Sequence, residues 1–322
     1  MKIAVTGSLA YDYIMSFPGY FKDHILPDKV HMLTVSFLVD SMKRMRGGVA
    51  GNVAYSLALM GERPLVVATA GTDFGDYRAW MDSQGIETSG VVQVDGEFTA
   101  SCFINTDRSN NQIVAFYPGA MSHADRLSLT HLKLGKDDLC LISPTDPRSM
   151  IKCMRDCKAL GIPYVFDPGK QTPRLETEVI LEGIESAAVL IGNDYEFGMM
   201  AQKTGRTEQA LIEAAPLTVV TRGEEGSIIY ARGQPPLNIP VAPIHTLEDP
   251  TGAGDAYLAG LVLGLAHKAP LEVAGRLGAL ASAYVIEHRG CQEHGYTRAA
   301  FVKRYTEAFG QTPLVSKLLG QA

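Results

Sequence analysis

Asp249-Pro250-Thr251-Gly252-Ala253-Gly254-Asp255-Ala256 lies late in the chain, between a strand-like run and a long apolar run with helical spacing. Gly252 and Gly254 flank one small residue, so the backbone can turn tightly and approach a ligand closely. The apolar run Ala256 to Leu263 follows at once. It sets the glycine turn at a helix N-terminus, where unpaired N–H groups and the helix dipole favour an anion. Asp255 then falls in the first helical turn. A carboxylate beside an anion site can take a proton from an attacking hydroxyl while the N–H groups hold the charge on a transferring group. The plainer alternative is an acid that the dipole alone favours. These eight residues leave both open.

The rest of the chain supplies the context. Its 322 residues have room for one large α/β domain or two smaller ones. A composition 46% hydrophobic and 20% charged, with mean hydropathy +0.03, is that of an ordinary globular protein. A net charge of −6 argues against a general nucleic-acid binder. No apolar run reaches membrane-spanning length. Met1 to Gly7 reads as a strand entering a turn rather than as a signal peptide. The five cysteines, Cys102, Cys140, Cys153, Cys157 and Cys291, form no CxxC pair. Cys153 and Cys157 share a helix face, but two ligands make no zinc site. The expectation is a cytoplasmic protein with reduced thiols.

Residues 2–6 read as a buried strand, and Asp12 follows beyond its carboxyl end, where open α/β sheets bind ligands. Residues 13–46 break the pattern. Val30 to Phe37 looks like a strand there, and the stretch is too long for a bare loop. Arg46-Gly47-Gly48-Val49-Ala50-Gly51-Asn52 is a second glycine-rich helix start, with Gly61 as the stop. Residues 64–71 form a strand and Asp76 to Gln84 a helix stopped by Gly85. Val91 to Val94, Thr99 to Thr106 and Gln112 to Tyr117 have no helices between them, and by pattern they group with the inserted sheet. From Leu139 onward strand and helix alternate regularly, with strands at 139–143, 164–168, 188–193 and 217–221. Ser227 to Ala231 and Pro236 to Val241 read as antiparallel edge strands, and helical runs at 255–267, 271–288 and 297–309 finish the chain. Such alternation implies an α/β fold with a mostly parallel sheet covered on both faces. The partition by range is a core of residues 1–10, 47–95 and 121–322, with a small β-sheet lid from 11–46 and 96–120.

Four stretches together resemble the ribokinase (PfkB) family of small-molecule kinases. They are Gly47 to Asn52, Asn193-Asp194-Tyr195-Glu196 (NxxE), Thr221-Arg222-Gly223-Glu224-Glu225-Gly226 (TxGxxG), and Asp249 to Asp255, which is like DTxGAGD with Pro250 in place of the first Thr. Within the family the chain is most similar to bacterial adenosine kinases. That closer likeness rests on Thr6 to Asp12, Val35 to Asp40, Arg46 to Asn52 and Phe116-Tyr117-Pro118-Gly119-Ala120-Met121. No GxxxxGK[ST] loop occurs.

The resemblance implies a ribokinase-like fold and transfer of the ATP γ-phosphoryl group to the 5′-hydroxyl of adenosine. Asp255 would be the base, with backbone N–H groups of Gly252, Ala253 and Gly254 on the developing charge and Arg174 on the transferring phosphate. Asp12 would hold the ribose diol, with Gly48 and Asn52 on the same sugar. Ser8 and Ser36 would reach the purine or ribose, and Phe116 would stack on the base. Cys102 stands where a second aromatic would be convenient, and alternation turns Phe103 to the other face. Asn193 and Glu196 would organise Mg²⁺. Thr221, Gly223 and Gly226 would line the nucleotide groove, with Ala279 and Ser282 leaving room for its base. Close helix packing is an equal alternative for those last two. Carbonyls near Asp249 to Thr251 and Arg289 to Gln292 are candidates for K⁺. The lid is expected to exclude water and to form a homodimer. A related kinase for a sugar or another nucleoside, and a non-catalytic nucleoside-binding protein, are the alternatives; Asp255 and Gly254 together speak against the last.

Overall fold

The computed structural model describes residues 1–320. Among these, two sheets organise the chain. The larger has the order β13-β12-β11-β10-β9-β8-β1-β4-β5. Its strands are β1 (Ile3–Thr6), β4 (Leu65–Ala70), β5 (Glu87–Gln93), β8 (Leu139–Ile142), β9 (Tyr164–Phe166), β10 (Val189–Asn193), β11 (Leu217–Thr221), β12 (Ser227–Ala231) and β13 (Leu237–Ile239). All pair in parallel except β12 and β13, which run antiparallel at one edge. The helices are α1 (Val49–Leu59), α2 (Gly75–Ser83), α3 (Pro147–Leu160), α4 (Thr177–Ser186), α5 (Asp194–Thr204), α6 (Glu208–Ala214), α7 (Ala253–Ala266), α8 (Leu271–Ile286), α9 (Arg298–Phe309) and α10 (Pro313–Leu319).

The central strands β1, β4, β8 and β9 are buried at every residue because both faces are covered. Alternate residues feed two cores. Ile3 and Val5 of β1, and Leu139 and Leu141 of β8, pack with α1, α2 and α7–α10. Ala4, Cys140 and Ile142 pack on the other side with α3–α6. Cys153 and Cys157 share the second core, as their spacing on α3 requires. The chain builds outward from β1 through β4 and β5, then restarts on its other side with β8. The crevice between β1 and β8 is thus a topological switch point, where α/β sheets bind ligands. Ser8 N–H donates to Pro144 O across it (3.1 Å).

The smaller sheet, the lid, has the order β3-β2-β6-β7, with β2 (Ala10–Ser16), β3 (Ser41–Gly47), β6 (Ala100–Thr106) and β7 (Gln112–Tyr117). Three expectations are corrected. Val30 to Phe37 is not a strand: Pro27–Met32 is a 3-10 helix and 33–40 is irregular. Phe37 instead joins a cluster with Phe17 and Phe21, ring to ring at 4.9–5.5 Å, while Val30, Met32 and Leu33 are exposed. The strand is the polar run Ser41 to Gly47, an edge whose charged side chains discourage pairing with other chains. Val91 to Val94 belongs largely to β5, which α2 carries back parallel to β4 in the large sheet. A further helix, α10, lies beyond the three expected at the end.

Candidate active site

The glycine turn is a helix start. Gly252 is the N-cap of α7 with φ 84°, a left-handed conformation that favours glycine, and Asp255 lies in the first turn. Ala253 N–H donates to Pro250 O (3.2 Å), so it is not available to an anion. The N–H groups of Gly252 and Gly254 have no partner among the described residues.

Asp255 is held by Asn52 on the buried start of α1, whose Nδ2 donates to Asp255 Oδ2 at 2.7 Å. Burial raises the pKa of Asp255 to about 6, against the opposing pull of Asn52 and Lys170; Glu196 adds to the rise. The hydrogen bonding continues inward. Gln292 Nε2 donates to Asn52 Oδ1 (2.8 Å) and lies 2.6 Å from the Tyr77 hydroxyl, which donates to Gly47 O (3.0 Å). Gly51 leaves the space for this relay: a Cβ there would run into Tyr77 Oη and lie 2.9 Å from Gln292 Nε2.

Gly47 lies beside Asp12; a Cβ on it would be 2.6 Å from Asp12 Oδ2. Register places Met45, Asp12, Cys102 and Phe116 in one row across the lid, so their side chains share a face. Burial raises the Asp12 pKa and Lys170 opposes it. Phe116 is 53% exposed, leaving a free ring face. Phe103 faces the other way, stacked on Tyr13 at 4.9 Å. Cys102 therefore takes the place beside Phe116. Gly48 is the N-cap of α1 with φ 88°. Ser8 is occupied at that helix start, its Oγ accepting from Val49 N–H (3.2 Å). Ser36 is exposed, outside any strand and without a hydrogen bond among the described residues. With no strand over 33–40, nothing carries it to the row.

The large sheet contributes the second cluster of charge. Asn193 and Glu196 form a capping box on α5: Asn193 Oδ1 accepts from Glu196 N–H, and Glu196 Oε2 from Asn193 N–H, both at 2.8 Å. Beyond β9, burial with Glu196 and Asp255 nearby pushes the Asp167 carboxyl well above the usual range. Glu196 is also raised by burial. Close carboxylates that resist ionisation fit a divalent cation with one or two protein ligands and several waters. Among the described residues no cluster of three metal-ligating side chains exists. Arg174 does not join this group. It is exposed and donates to Gln171 Oε1 (3.3 Å), because the turn after β9 carries it outward. Lys170, earlier in the same turn, acts on Asp12, Glu196 and Asp255 alike.

A cleft of about 470 Å³ leads away from Gly254, lined by Thr221, Gly223, Gly226, Ala279 and Ser282, with Val241, Ile244, Leu247 and Ile286 supplying apolar surface. Ser282 Oγ donates to Ala253 O (2.7 Å), which ties α8 to the start of α7. The loop over the cleft is braced: Arg304 bonds Pro243 O (2.9 Å) and both oxygens of Glu287, and Glu287 accepts from His245 N–H (2.7 Å). Asp249 links the turns 249–251 and 289–292, accepting from Thr251 N–H (2.9 Å) and Gly290 N–H (3.4 Å).

The fold thus brings together Asp12, Gly48, Asn52, Asn193, Glu196 and Asp255, with the cleft residues beside them. Tyr77, Asp167, Lys170 and the side chain of Gln292 were not expected. Asp167 and Lys170 sit at a strand's carboxyl end, which is a usable signal. Tyr77 and Gln292 meet 215 residues apart in sequence and belong to no motif.

Comparison with known proteins agrees with this geometry. Residues 8–297 match the family model "pfkB family carbohydrate kinase". The chain is 30% identical over 306 residues to a nucleoside kinase from Methanocaldococcus jannaschii, covering 94% of this chain and 96% of that protein. A ligand-free structure of Burkholderia thailandensis nucleoside kinase superposes with a TM-score of 0.85 at 37% identity, covering 94% of this chain and 99% of that one. The structure of that enzyme in complex with ADP-inosine gives a TM-score of 0.82 at 37% identity over 97% of each chain. Among the described residues no helix is long and apolar enough to cross a membrane. Two layers of helix around a mostly parallel sheet, the small lid sheet and the late glycine turn all follow the ribokinase-like pattern, and the chain belongs to the pfkB family of carbohydrate kinases.

Proposed function

We propose that the chain is a nucleoside kinase that transfers the γ-phosphoryl group of ATP to the 5′-hydroxyl of a purine nucleoside, with adenosine as the acceptor. The observation that carries this is Asp255. It is a half-buried carboxylate with a pKa near 6, set at a helix N-terminus between the cleft and the lid row that bears Asp12. Near neutral pH it is ionised yet basic enough to accept a proton.

The 5′-oxygen attacks as its proton passes to Asp255, and the N–H groups of Gly252 and Gly254 receive the charge on the γ-phosphoryl oxygens. Asp12 binds the ribose diol, with Gly48 and Asn52 beside it, and Phe116 covers the base. Thr221, Gly223, Gly226, Ala279 and Ser282 form the nucleotide side. Glu196, Asp167 and Asn193 would hold Mg²⁺ and its waters; bound there, the ion would offset phosphate charge. The carbonyls of the two turns joined by Asp249 are the proposed seat of K⁺. The similarity to a kinase solved with ADP-inosine supports a purine acceptor.

We also assign lid motion to residues 11–46 and 96–120, and a homodimer formed through that sheet. Every residue of β7 is exposed on an edge, including Ile113, Val114 and Phe116. A monomeric mass by light scattering at micromolar concentration would refute the dimer. The catalytic proposal is tested by ADP release from Mg-ATP with adenosine, inosine, guanosine, cytidine, ribose and fructose, with and without K⁺. Turnover with a sugar in preference to every nucleoside would overturn it.

A further inference from the structure

We propose that Lys170 is a catalytic residue, its ammonium binding the γ-phosphoryl oxygens as the group crosses from nucleotide to acceptor. This rests on the kinase function proposed above. Lys170 lies in the 3-10 turn Gly169–Gln171, directly beyond the carboxyl end of β9. That strand is flanked by β8, whose end meets Ser8, and by β10, whose end carries Asn193. The turn is pressed against the β8 side: a Cβ on Gly169 would lie 2.6 Å from Pro144 Cγ. Gly169 has φ 44°, which turns the chain so that Lys170 follows at the mouth of the switch point.

Two further observations single it out. Lys170 is exposed and has no hydrogen bond or ion pair among the described residues. The same positive charge is felt by Asp12 on the lid, by Asp255 on α7 and by Glu196 on α5. Its place beyond β9, between the ends of β8 and β10, sets it between the acceptor side and the nucleotide side of the proposed site. The surrounding carboxylates, Asp12, Asp167, Glu196 and Asp255, would repel an incoming triphosphate. A flexible four-carbon stem ending in three donors can follow a moving group, which the rigid fork of arginine does less well.

The step balances without any change at Lys170. The 5′-hydroxyl proton goes to Asp255, the O5′–P bond forms, and the bond from Pγ to the bridging oxygen breaks. ADP leaves with that electron pair. Lys170 keeps its proton throughout and only donates hydrogen bonds.

The test is steady-state ADP release with Mg-ATP and adenosine for Lys170→Met, Lys170→Arg and Arg174→Ala, with adenosine binding followed by calorimetry. Lys170→Met should lower kcat by about 10²–10³-fold, as loss of a transition-state charge donor does. Its adenosine Kd should stay within about threefold, since the phosphate contact is not a nucleoside contact. Lys170→Arg should recover about tenfold or more of the lost kcat, because the charge is kept. Thermal melting should be unchanged in both, as an exposed unpaired lysine stabilises little. A Lys170→Met enzyme within threefold of the parent kcat overturns the assignment and leaves the kinase function standing. So does a loss that falls on Arg174→Ala instead. A parent chain that turns over no nucleoside and no sugar overturns both.

Discussion

Replacing Asp255 with Asn should abolish most turnover and make the fold more stable at pH 8. The two effects have one source. In the unfolded chain the carboxyl titrates near 3.8, and in the folded protein near 6. A raised folded pKa contributes stability that is complete below the unfolded pKa and lost as pH rises through the folded one. Keeping Asp255 ionised at pH 8 therefore costs folding about 3 kcal/mol, at 1.36 kcal/mol per unit. The same linkage leaves about 1.5 kcal/mol at pH 5 and about 0.5 kcal/mol at pH 4. Asn keeps the shape and still accepts from Asn52, so it removes the charge and little else. The melting temperature of Asp255→Asn should exceed the parent's by about 3–6 °C at pH 8. The margin should shrink through pH 6 and nearly vanish at pH 4. In the ADP-release assay kcat should fall by about 10³-fold, within the range general bases supply. A kcat within threefold of the parent would refute the base assignment. A margin independent of pH would refute the buried-charge argument even if activity were lost.

In the parent, kcat/KM for adenosine should fall about tenfold per pH unit below a midpoint near 6; a flat profile from pH 5 to 8 would count against Asp255 as the titrating base. Phe116→Ala should weaken adenosine binding by about 1–3 kcal/mol through lost stacking, and an unchanged KM would remove the base from the lid row. Gly51→Ala should displace Tyr77 or Gln292 from the relay, lowering kcat by about tenfold or more through misplacement of Asn52 and Asp255; hydrogen exchange at α1 like the parent's would show that the relay had accommodated the methyl. Arg304→Ala should raise the KM for ATP by about tenfold through the freed loop, and should destabilise the fold by about 3 kcal/mol through the orphaned Glu287; an unaltered KM for ATP would show that the loop needs no brace.

Much of this was legible in the chain because it is local. Gly252 and Asp255 are three residues apart on one helix start, and Asn193 and Glu196 fill one capping box. The opposite faces of Cys102 and Phe103 follow from the twofold period of a strand. What escaped is what depends on contacts far apart or on weak pattern. The polar strand Ser41 to Gly47 has no apolar alternation to betray it, while the apolar residues before it that mimic a strand are either exposed, as Val30, Met32 and Leu33 are, or in an aromatic cluster, as Phe37 is. Arg174 has the better chemistry for phosphate on paper, and only the turn after β9 shows that it is exposed and bonded to Gln171, while the charge of Lys170 is felt by Asp12 and Asp255. Ser36 was placed by a strand that does not form.

The hydrogen bond between Asn52 and Asp255 also fixes how late in synthesis the candidate site can be completed. Its partners are 203 residues apart, and the Gln292 that completes the relay comes later still. At 5–20 residues per second, a ribosome takes about 10–40 s to pass from one partner to the other. From the completion of β7 at Tyr117 onward, the nascent chain carries every strand of the lid sheet and the proposed acceptor residues, still without the proposed base. Central β1 waits as well, since one of its neighbours, β8, starts only at Leu139. On the proposed roles, the residues that would bind a nucleoside are made before the one that would act on it, so a ligand present at the ribosome would have the chance to act as a folding template first and as a substrate only afterwards.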